Sequence, residues 1–104
     1  MRAESLKGHL DALILAVLSD GPLHGYAIIE KLKRRSGGAL ALPEGTIYPA
    51  LHRLEEAGLR SSAWSQGDGR RRRIYELTRR GRRELGERRA EWHDFARAVE
   101  AVLA

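Results

Sequence analysis

Four consecutive arginines, Arg70–Arg73, follow a Gly-Asp-Gly sequence at residues 67–69. The guanidinium group is planar and can bind a phosphate, or the edge of a guanine, through two parallel hydrogen bonds. An Asp-Gly pair between two short extended stretches is a strong signal for a hairpin turn. Arg70, Arg71 and Arg72 near such a tip can follow a nucleic-acid backbone or enter a minor groove. Because a run of charge also occurs as a plain solvated surface, the interpretation needs a second surface.

A helix upstream of the arginines supplies that second surface. The apolar spacing of Ile47, Leu51 and Leu54 predicts a helix from residue 45 or 46 to residue 57. The residues between them form an outward arc suited to base edges and sugar-phosphate, with the proline suited to an apolar contact such as a thymine methyl. Without the arginines, an ordinary polar helix surface would be an equal interpretation. We call this set the recognition arc, and it comprises Thr46, Tyr48, Pro49, His52, Arg53 and Glu56.

Two helices are predicted before the recognition arc. The first runs from Leu6 to Leu18 and is ended by Asp-Gly-Pro at residues 20–22. The second runs from about residue 25 to residue 35, with His24 as a helix-start or packing residue. A second, smaller row of apolar residues lies on another face of the first helix. This row indicates that the helix is packed against other residues on two sides, one of which a partner chain could provide. This row comprises Gly8, Ala12 and Leu15.

The second half of the chain predicts a hairpin and one long helix. Extended stretches at residues 61–65 and 73–77 flank the Asp-Gly turn, with Trp64 and Ile74 packing across their outer face. A last helix is predicted from Thr78 to the C-terminus, with apolar residues at spacings of three, four and seven. One short chain cannot cover this seam, so we predict a homodimer. The dimerisation seam comprises Leu85, Trp92, Phe95, Ala96, Val99, Val102 and Leu103.

This order of elements predicts the fold class. Three helices followed by a hairpin are typical of a winged helix-turn-helix, in which the third helix enters the major groove. We therefore expect a mostly α structure with a small β-hairpin. Residues 1–77 form the DNA-binding domain and residues 78–104 the dimerisation helix, within one structural unit. The predicted partners are double-stranded DNA, with half-sites about one helical turn apart, and a second copy of the chain.

The composition supports a polyanion partner and argues against catalysis. A formal charge of +5 favours nucleic acid first and an anionic membrane second. Cysteine is absent, and the four histidines, at residues 9, 24, 52 and 93, share no metal-ligand spacing. No catalytic residue, metal site or cofactor is predicted. The sequence has neither a membrane-spanning apolar stretch nor a signal peptide, so we expect a cytoplasmic protein.

Two other functions fit part of the pattern. The first is an architectural protein that binds DNA without sequence preference, through arginines at the start of the last helix. Those arginines are Arg79, Arg80, Arg82 and Arg83. The second is a protein-interaction module that uses the last helix. The mixed chemistry of the recognition arc favours sequence-specific binding, since neither alternative requires it.

Several motifs resemble those of the PadR family of transcriptional regulators. They are Leu-Asp-Ala-Leu-Ile-Leu at residues 10–15, His-Gly-Tyr-Ala-Ile at 24–28, Gly-Thr-Ile-Tyr-Pro-Ala-Leu at 45–51 with Arg-Leu-Glu at 53–55, and Tyr-Glu-Leu-Thr at 75–78 with Gly81. The resemblance covers nearly the whole chain. It implies a repressor that is dimeric through its C-terminal helix and, in many members, released from DNA by a small molecule. Because it has a single helix after the hairpin, the chain is similar to members of the short subgroup of this family.

The resemblance also implies an effector site. In short PadR-like regulators that bind flat aromatic compounds, a tryptophan at the place of Trp92 stacks on the ligand. The corresponding pocket here would hold a small aromatic ligand between Trp92 and its symmetry mate. Its small apolar walls would be Gly8, Ala12 and Leu15. The alternative is that Trp92 simply fills the dimer interface.

Overall fold

The computed structural model describes residue 6, residues 8–67 and residues 70–104. The described residues form four helices and one antiparallel sheet of three strands, so the predicted mostly α fold with a small β-hairpin is confirmed. The helices are α1 (Leu10–Leu18), α2 (Gly25–Arg35), α3 (Glu44–Glu56) and α4 (Arg79–Leu103). The strands are β1 (Leu23–His24), β2 (Arg60–Gly67) and β3 (Arg70–Leu77). We call β2 and β3 together the wing.

The first helix begins later than the sequence pattern predicts. Gly8 has a φ of 87°, a left-handed conformation that an α-helix does not contain. A turn therefore separates Leu6 from α1, with His9 at the N-cap position. Leu6 remains 8% exposed, so it belongs to the core although it lies before α1. The apolar spacing therefore correctly predicts that Leu6 is buried, but the prediction of one continuous helix from Leu6 to Leu18 is wrong.

The sheet differs from the predicted hairpin in three ways. A short additional strand, β1, pairs with β3 through Leu23 and His24, giving the strand order β1-β3-β2. Both wing strands are longer than predicted, so the arginines lie within the β3 ladder. Ala63 pairs with Ile74, and therefore Trp64 and Ile74 point to opposite faces; their predicted packing is wrong. The predicted Asp68–Gly69 turn lies outside the described residues.

The core lies between the four helices and the base of the wing. Helix α1 is central and packs against the other three helices. The predicted inward residues of α3 are confirmed as buried. Leu15, predicted on a second face of α1, is completely buried within its own chain. The largest fully buried side chains are Ile14, Leu15, Leu18, Ile28, Ile47, Leu51 and Leu54.

A buried arginine joins α3 to the wing. Arg60 is 5% exposed, and its Nε donates to the Leu51 carbonyl at 2.7 Å. One terminal nitrogen donates to the Glu55 carboxylate at 3.3 Å, and the guanidinium lies 4.7 Å from the centre of the Tyr75 ring. Burial lowers the pKa of Arg60, and the Glu55 carboxylate opposes that shift. A single side chain thus fixes the second half of α3 against the base of the wing.

The start of α4 is fixed by a cap and a close backbone approach. The Thr78 hydroxyl accepts a hydrogen bond from the Gly81 N–H at 3.0 Å and thereby caps the helix that the sequence predicts to begin at this residue. A Cβ on Gly81 would lie 2.0 Å from the Leu59 carbonyl oxygen. Only glycine therefore allows the helix to approach the chain just before β2. Beyond Leu85 no residue of α4 is buried, so most of the helix projects from the domain.

We predict opposite effects for alanine at the two glycines of α4. Gly81→Ala should destabilise the protein by about 1–3 kcal/mol, because the new methyl must push the helix away from the Leu59 carbonyl. Gly86→Ala meets no atom within 4 Å and should stabilise by roughly 0.5–1 kcal/mol through helix propensity. Urea denaturation of both variants at one protein concentration measures the difference. Equal shifts of the unfolding midpoint would contradict the close approach.

Candidate nucleic-acid interface

The recognition arc lies on the exposed side of α3. Pro49, His52 and Arg53 are exposed, Tyr48 is 40% exposed, and Thr46 is half-buried. The helix holds them because its opposite face is anchored in the core by Ile47, Leu51 and Leu54. The structure therefore places the predicted base-contacting residues together on the exposed side of one α-helix. A surface of this kind fits a DNA major groove.

Tyr48 is held more firmly than an ordinary exposed tyrosine. A Cβ on Gly25 would lie 2.3 Å from the Tyr48 hydroxyl oxygen, so the ring rests against the first residue of α2. Partial burial raises the pKa of the Tyr48 hydroxyl, and the nearby Tyr75 and Glu44 add to this shift. The hydroxyl consequently stays protonated at neutral pH and can donate a hydrogen bond to a phosphate oxygen.

Two members of the recognition arc are paired with carboxylates. Arg53 lies 3.2 Å from Asp11 of α1, whose side chain is 28% exposed. His52 lies 3.0 Å from Glu56, one turn later in the same helix, and both side chains are exposed. Pairs this exposed contribute little to stability. These contacts orient the two side chains, and the Asp11 carboxylate offsets the charge of Arg53.

On one face of the wing, Trp64 is stacked with two arginines. The guanidinium groups of Arg71 and Arg73 lie 4.4 Å and 5.4 Å from the centre of the Trp64 ring. Arg73 also donates from Nε to the Ser62 hydroxyl at 3.0 Å. Cation–π contacts of this kind restrict the arginines without neutralising their charge. The face therefore presents oriented positive charge to a polyanion.

The opposite face of the wing touches the start of α2. His24 is the N-cap of α2, and its Nδ1 accepts the Ala27 N–H at 3.3 Å, which confirms its predicted helix-start role. The Arg72 guanidinium lies 3.3 Å from the other ring nitrogen, Nε2. Arg71 and Arg72 thus lie on different faces of β3, whereas the sequence placed them together at a tip. The side chain of Arg70 is outside the described part of the structure.

The predicted dimerisation seam divides into a buried and an exposed part. Leu85 is 4% exposed and belongs to the core of its own chain. Trp92, Phe95, Val102 and Leu103 are between 50% and 84% exposed. Ala96 and Val99 are half-buried. The exposed part of the seam accordingly begins at Trp92.

Trp92 lies beside the turn that precedes α1. Its ring is 5.3 Å from the ring of His9 in an edge contact and 6.2 Å from that of Phe95. Gly8 is exposed and Ala12 is half-buried, so both are accessible from the surface. Leu15 is fully buried by its own chain and therefore cannot form a wall of a surface pocket.

Sequence reasoning missed several partners in this interface. Asp11 is 42 residues from Arg53, and no local pattern connects the two. Tyr26, in the first turn of α2, is 62% exposed and was not selected because a single tyrosine carries no periodic signal. His9 was recognised only as lacking a metal-ligand spacing. The signal in the sequence that could have placed His9 outside the first helix is its position directly after Gly8, because glycine often interrupts a helix.

Two general features of the described residues limit the chemistry of the chain. No group of three or more histidine, aspartate or glutamate side chains among them could hold a metal ion. None of the helices in the described ranges has the length and apolar character needed to cross a membrane.

Comparisons with known proteins agree with this geometry. A transcriptional regulator of Mycobacterium tuberculosis, Rv3488, is 40% identical over 83% of this chain and 78% of its own length. A PadR family regulator from Eggerthella lenta is 34% identical, with a TM-score of 0.83 over 96% of this chain and 86% of its own.

A third relative has been solved with DNA. Bacillus subtilis PadR in complex with operator DNA is 31% identical, with a TM-score of 0.69 over 77% of this chain and 46% of its own. The model of the PadR-like transcriptional regulator family matches residues 14–87, which include α2, α3, the wing and the start of α4. The chain therefore belongs to the PadR-like family of transcriptional regulators.

Proposed function

We propose that this regulator binds a specific DNA operator through the recognition arc and the wing. The observation that carries the proposal is the exposed arc of α3, joined by buried Arg60 to a wing that presents oriented arginines. One rigid unit thereby offers a helix for a major groove and a positive strand for the adjacent backbone. The complex of the B. subtilis relative with operator DNA supports the assignment of DNA as the partner.

The two surfaces have different chemistry, so we assign them different tasks. His52 and Arg53 point outward from α3 and carry donors that can distinguish base edges. Arg71 on the wing carries a delocalised positive charge and is stacked on the Trp64 ring. A charge held in this way suits the phosphate backbone, which is the same for every sequence. The arc would therefore determine the sequence, and the wing would supply affinity that does not depend on sequence.

Two carboxylates, Asp11 next to the recognition arc and Glu56 within it, favour this function over non-specific architectural binding. Asp11 and Glu56 pair with Arg53 and His52, and both lie close to where DNA would be. Any duplex must displace these carboxylates from their partners. Only a sequence that offers matching acceptors compensates for the lost ion pairs and the added repulsion. A purely architectural protein would gain affinity from neutral residues at these positions.

The C-terminal helix supports a homodimer. Helix α4 has 25 residues and is therefore about 37 Å long, yet only its first two turns contain buried residues. The exposed apolar residues from Trp92 to Leu103 need cover, and an identical helix supplies it symmetrically. We assign residues 1–77 to DNA binding and residues 78–104 to dimerisation. A two-fold symmetric protein calls for a palindromic operator with half-sites about one helical turn apart.

We further propose that the protein acts as a repressor and responds to a small aromatic effector. Trp92 is half exposed, with the exposed Gly8 and the half-buried Ala12 at the accessible end of α1. In the dimer, two such tryptophans would lie near the two-fold axis and could enclose a flat ring. His9, in contact with Trp92, replaces Leu15 as a wall of this pocket. To act as an inducer, the ligand must bind the DNA-incompetent dimer more tightly than the competent one.

We expect His52→Ala and Arg71→Ala to have different effects on DNA binding. An operator selected from a random pool and a scrambled duplex serve as the two probes. His52→Ala should reduce discrimination between them by about 1–3 kcal/mol, because a base contact is lost. Arg71→Ala should weaken both alike and lower the slope of log affinity against log salt by roughly 0.9. Arg34→Ala is the control for the loss of one positive charge. Arg34 lies near the C-terminal end of α2, whereas Tyr48 contacts Gly25 at the N-terminal end of that helix. Wild-type binding that does not discriminate at all would refute sequence-specific function.

Phe95→Glu should convert the dimer to a monomer without unfolding the domain, because Phe95 is 59% exposed in one chain and contributes nothing to its core. The loss of dimerisation in this variant should also lower its affinity for the operator. Ala90→Glu adds the same charge on the outward side of α4 and should leave the dimer intact. Sedimentation velocity and operator titration measure both properties. A wild-type protein that sediments as a monomer and still binds its operator fully would contradict the homodimer.

Planar aromatic dyes should quench the fluorescence of Trp92 by stacking on it. The Trp64→Phe variant isolates Trp92 as the single tryptophan, and a titration should then saturate with one ligand per dimer. The same dye should release the operator, since it favours the other arrangement of the dimer. Quenching that persists in Trp92→Ala, or the absence of quenching by every dye tested, would assign Trp92 a purely structural role.

A further inference from the structure

His24 makes two contacts that one neutral imidazole ring cannot both satisfy. Its Nδ1 accepts the Ala27 N–H at 3.3 Å, and its Nε2 lies 3.3 Å from a terminal nitrogen of Arg72. A neutral imidazole has one nitrogen with a lone pair and one with a proton. The Arg72 guanidinium can only donate. If Nδ1 accepts the helix cap, Nε2 carries the proton and cannot accept from Arg72.

The helix cap decides which nitrogen carries the proton. His24 is the N-cap residue of an 11-residue helix, and its ring nitrogen satisfies one of the otherwise unpaired N–H groups of the first turn. With the proton on Nε2, the Nε2–H and the Arg72 guanidinium become two donors 3.3 Å apart. Both side chains are half-buried, so bulk water reaches this place only in part. The pair lacks the acceptor that would make it favourable.

The surroundings favour an anion as this acceptor. Within residues 6, 8–67 and 70–104, no carboxylate lies within 4 Å of the Arg72 guanidinium. The Tyr48 hydroxyl rests against Gly25, the residue directly after His24, and adds a third protonated donor nearby. Donors of the wing and of the start of α2 therefore meet at His24, and a donor of the recognition arc lies against the next residue, Gly25.

We propose that His24 Nε2–H and the Arg72 guanidinium together bind one phosphate oxygen of the DNA backbone. The inference rests on the proposed DNA binding and adds His24 as a direct backbone contact at the junction of the wing and α2. A phosphate oxygen can accept from both donors at once, which removes their mutual repulsion. The same ring continues to cap α2 through Nδ1. Phosphate binding thereby aligns the wing with the helix that supports the recognition arc.

The variant that isolates this role is His24→Asn. Asparagine is among the best N-cap residues, so its Oδ1 can still accept the Ala27 N–H, but it has no donor that reaches Arg72 and the phosphate. The thermal midpoint should therefore stay at the wild-type value. The affinity for a random-sequence duplex of about 25 base pairs should fall about tenfold, as expected for one lost hydrogen bond to a charged group. The random sequence is sufficient because the contact is with the backbone.

A double-mutant cycle with Arg72→Ala tests whether the two residues share one phosphate. His24→Asn should leave the salt slope unchanged, since a neutral imidazole releases no counterion, whereas Arg72→Ala should lower it by roughly 0.9. The double variant should bind little worse than Arg72→Ala alone, because each residue depends on the other. Additive losses, or no loss in His24→Asn, would overturn the proposal.

The tautomer of the His24 ring and the NMR signal of its protonated nitrogen distinguish phosphate binding from a purely structural role. The signal of a histidine with only a structural role would not change when the duplex is added. Long-range nitrogen–proton NMR spectra at about pH 8, where imidazole side chains are generally neutral, should show the proton on Nε2 with and without duplex, and a shift of that nitrogen upon binding. A proton on Nδ1 in both states would mean that Arg72 donates to His24, and the phosphate site would be refuted. If the wild-type protein binds no duplex, the proposed function itself fails, which this experiment distinguishes from a silent His24→Asn variant.

Discussion

The burial of Arg60 is the interaction on which the DNA-binding surface depends. Its guanidinium holds a carbonyl of α3, a carboxylate of α3 and the face of a wing tyrosine at the same time. A buried charge is tolerated only when such partners replace water, and removal of one partner leaves a costly unpaired group. These contacts therefore help to set the angle between α3 and the wing, together with the packing of Leu54, Tyr75 and Leu77 in the same core, and the spacing of the two proposed DNA-binding surfaces follows from that angle.

Charge around this scaffold is arranged to be selective as well as positive. The net charge of +5 attracts any polyanion. Arg71 and Arg73 of β3 are stacked on Trp64, and Arg72 faces the His24 ring, so the charges of these three arginines remain available to a backbone. Arg53 of the recognition arc is instead paired with Asp11. In the proposed binding mode, attraction would thus come from the wing, which does not distinguish sequences, and the recognition arc, which does, would be restrained until its partner groups fit.

The sequence predicted elements well and partners poorly, for a physical reason. The apolar spacing of α3, the helix that starts at Thr78 and the order of the longer elements are local signals, and the structure confirms each of them. Strand β1 has two residues and exists only because it pairs with β3, about fifty residues later, so no local period reveals it. Leu15 and Leu85 were assigned to intermolecular surfaces because a period shows which residues share a face. It does not show whether the same chain or a second chain covers that face.

Two adjacent residues connect the proposed dimer interface to the DNA-binding surface. Gly81 brings α4 into contact with the Leu59 carbonyl, and Arg60, the next residue, holds α3. Each α4 is therefore fixed to the α3 of its own chain, because a close-packed contact of this kind does not deform continuously. A ligand that alters the angle between two α4 helices must then move each DNA-binding unit as a rigid body. In the proposed dimer, even a small rotation at Trp92 would be enlarged at the recognition arc by the length of α4, so we expect the spacing of the half-sites to be the property that the proposed effector changes most easily.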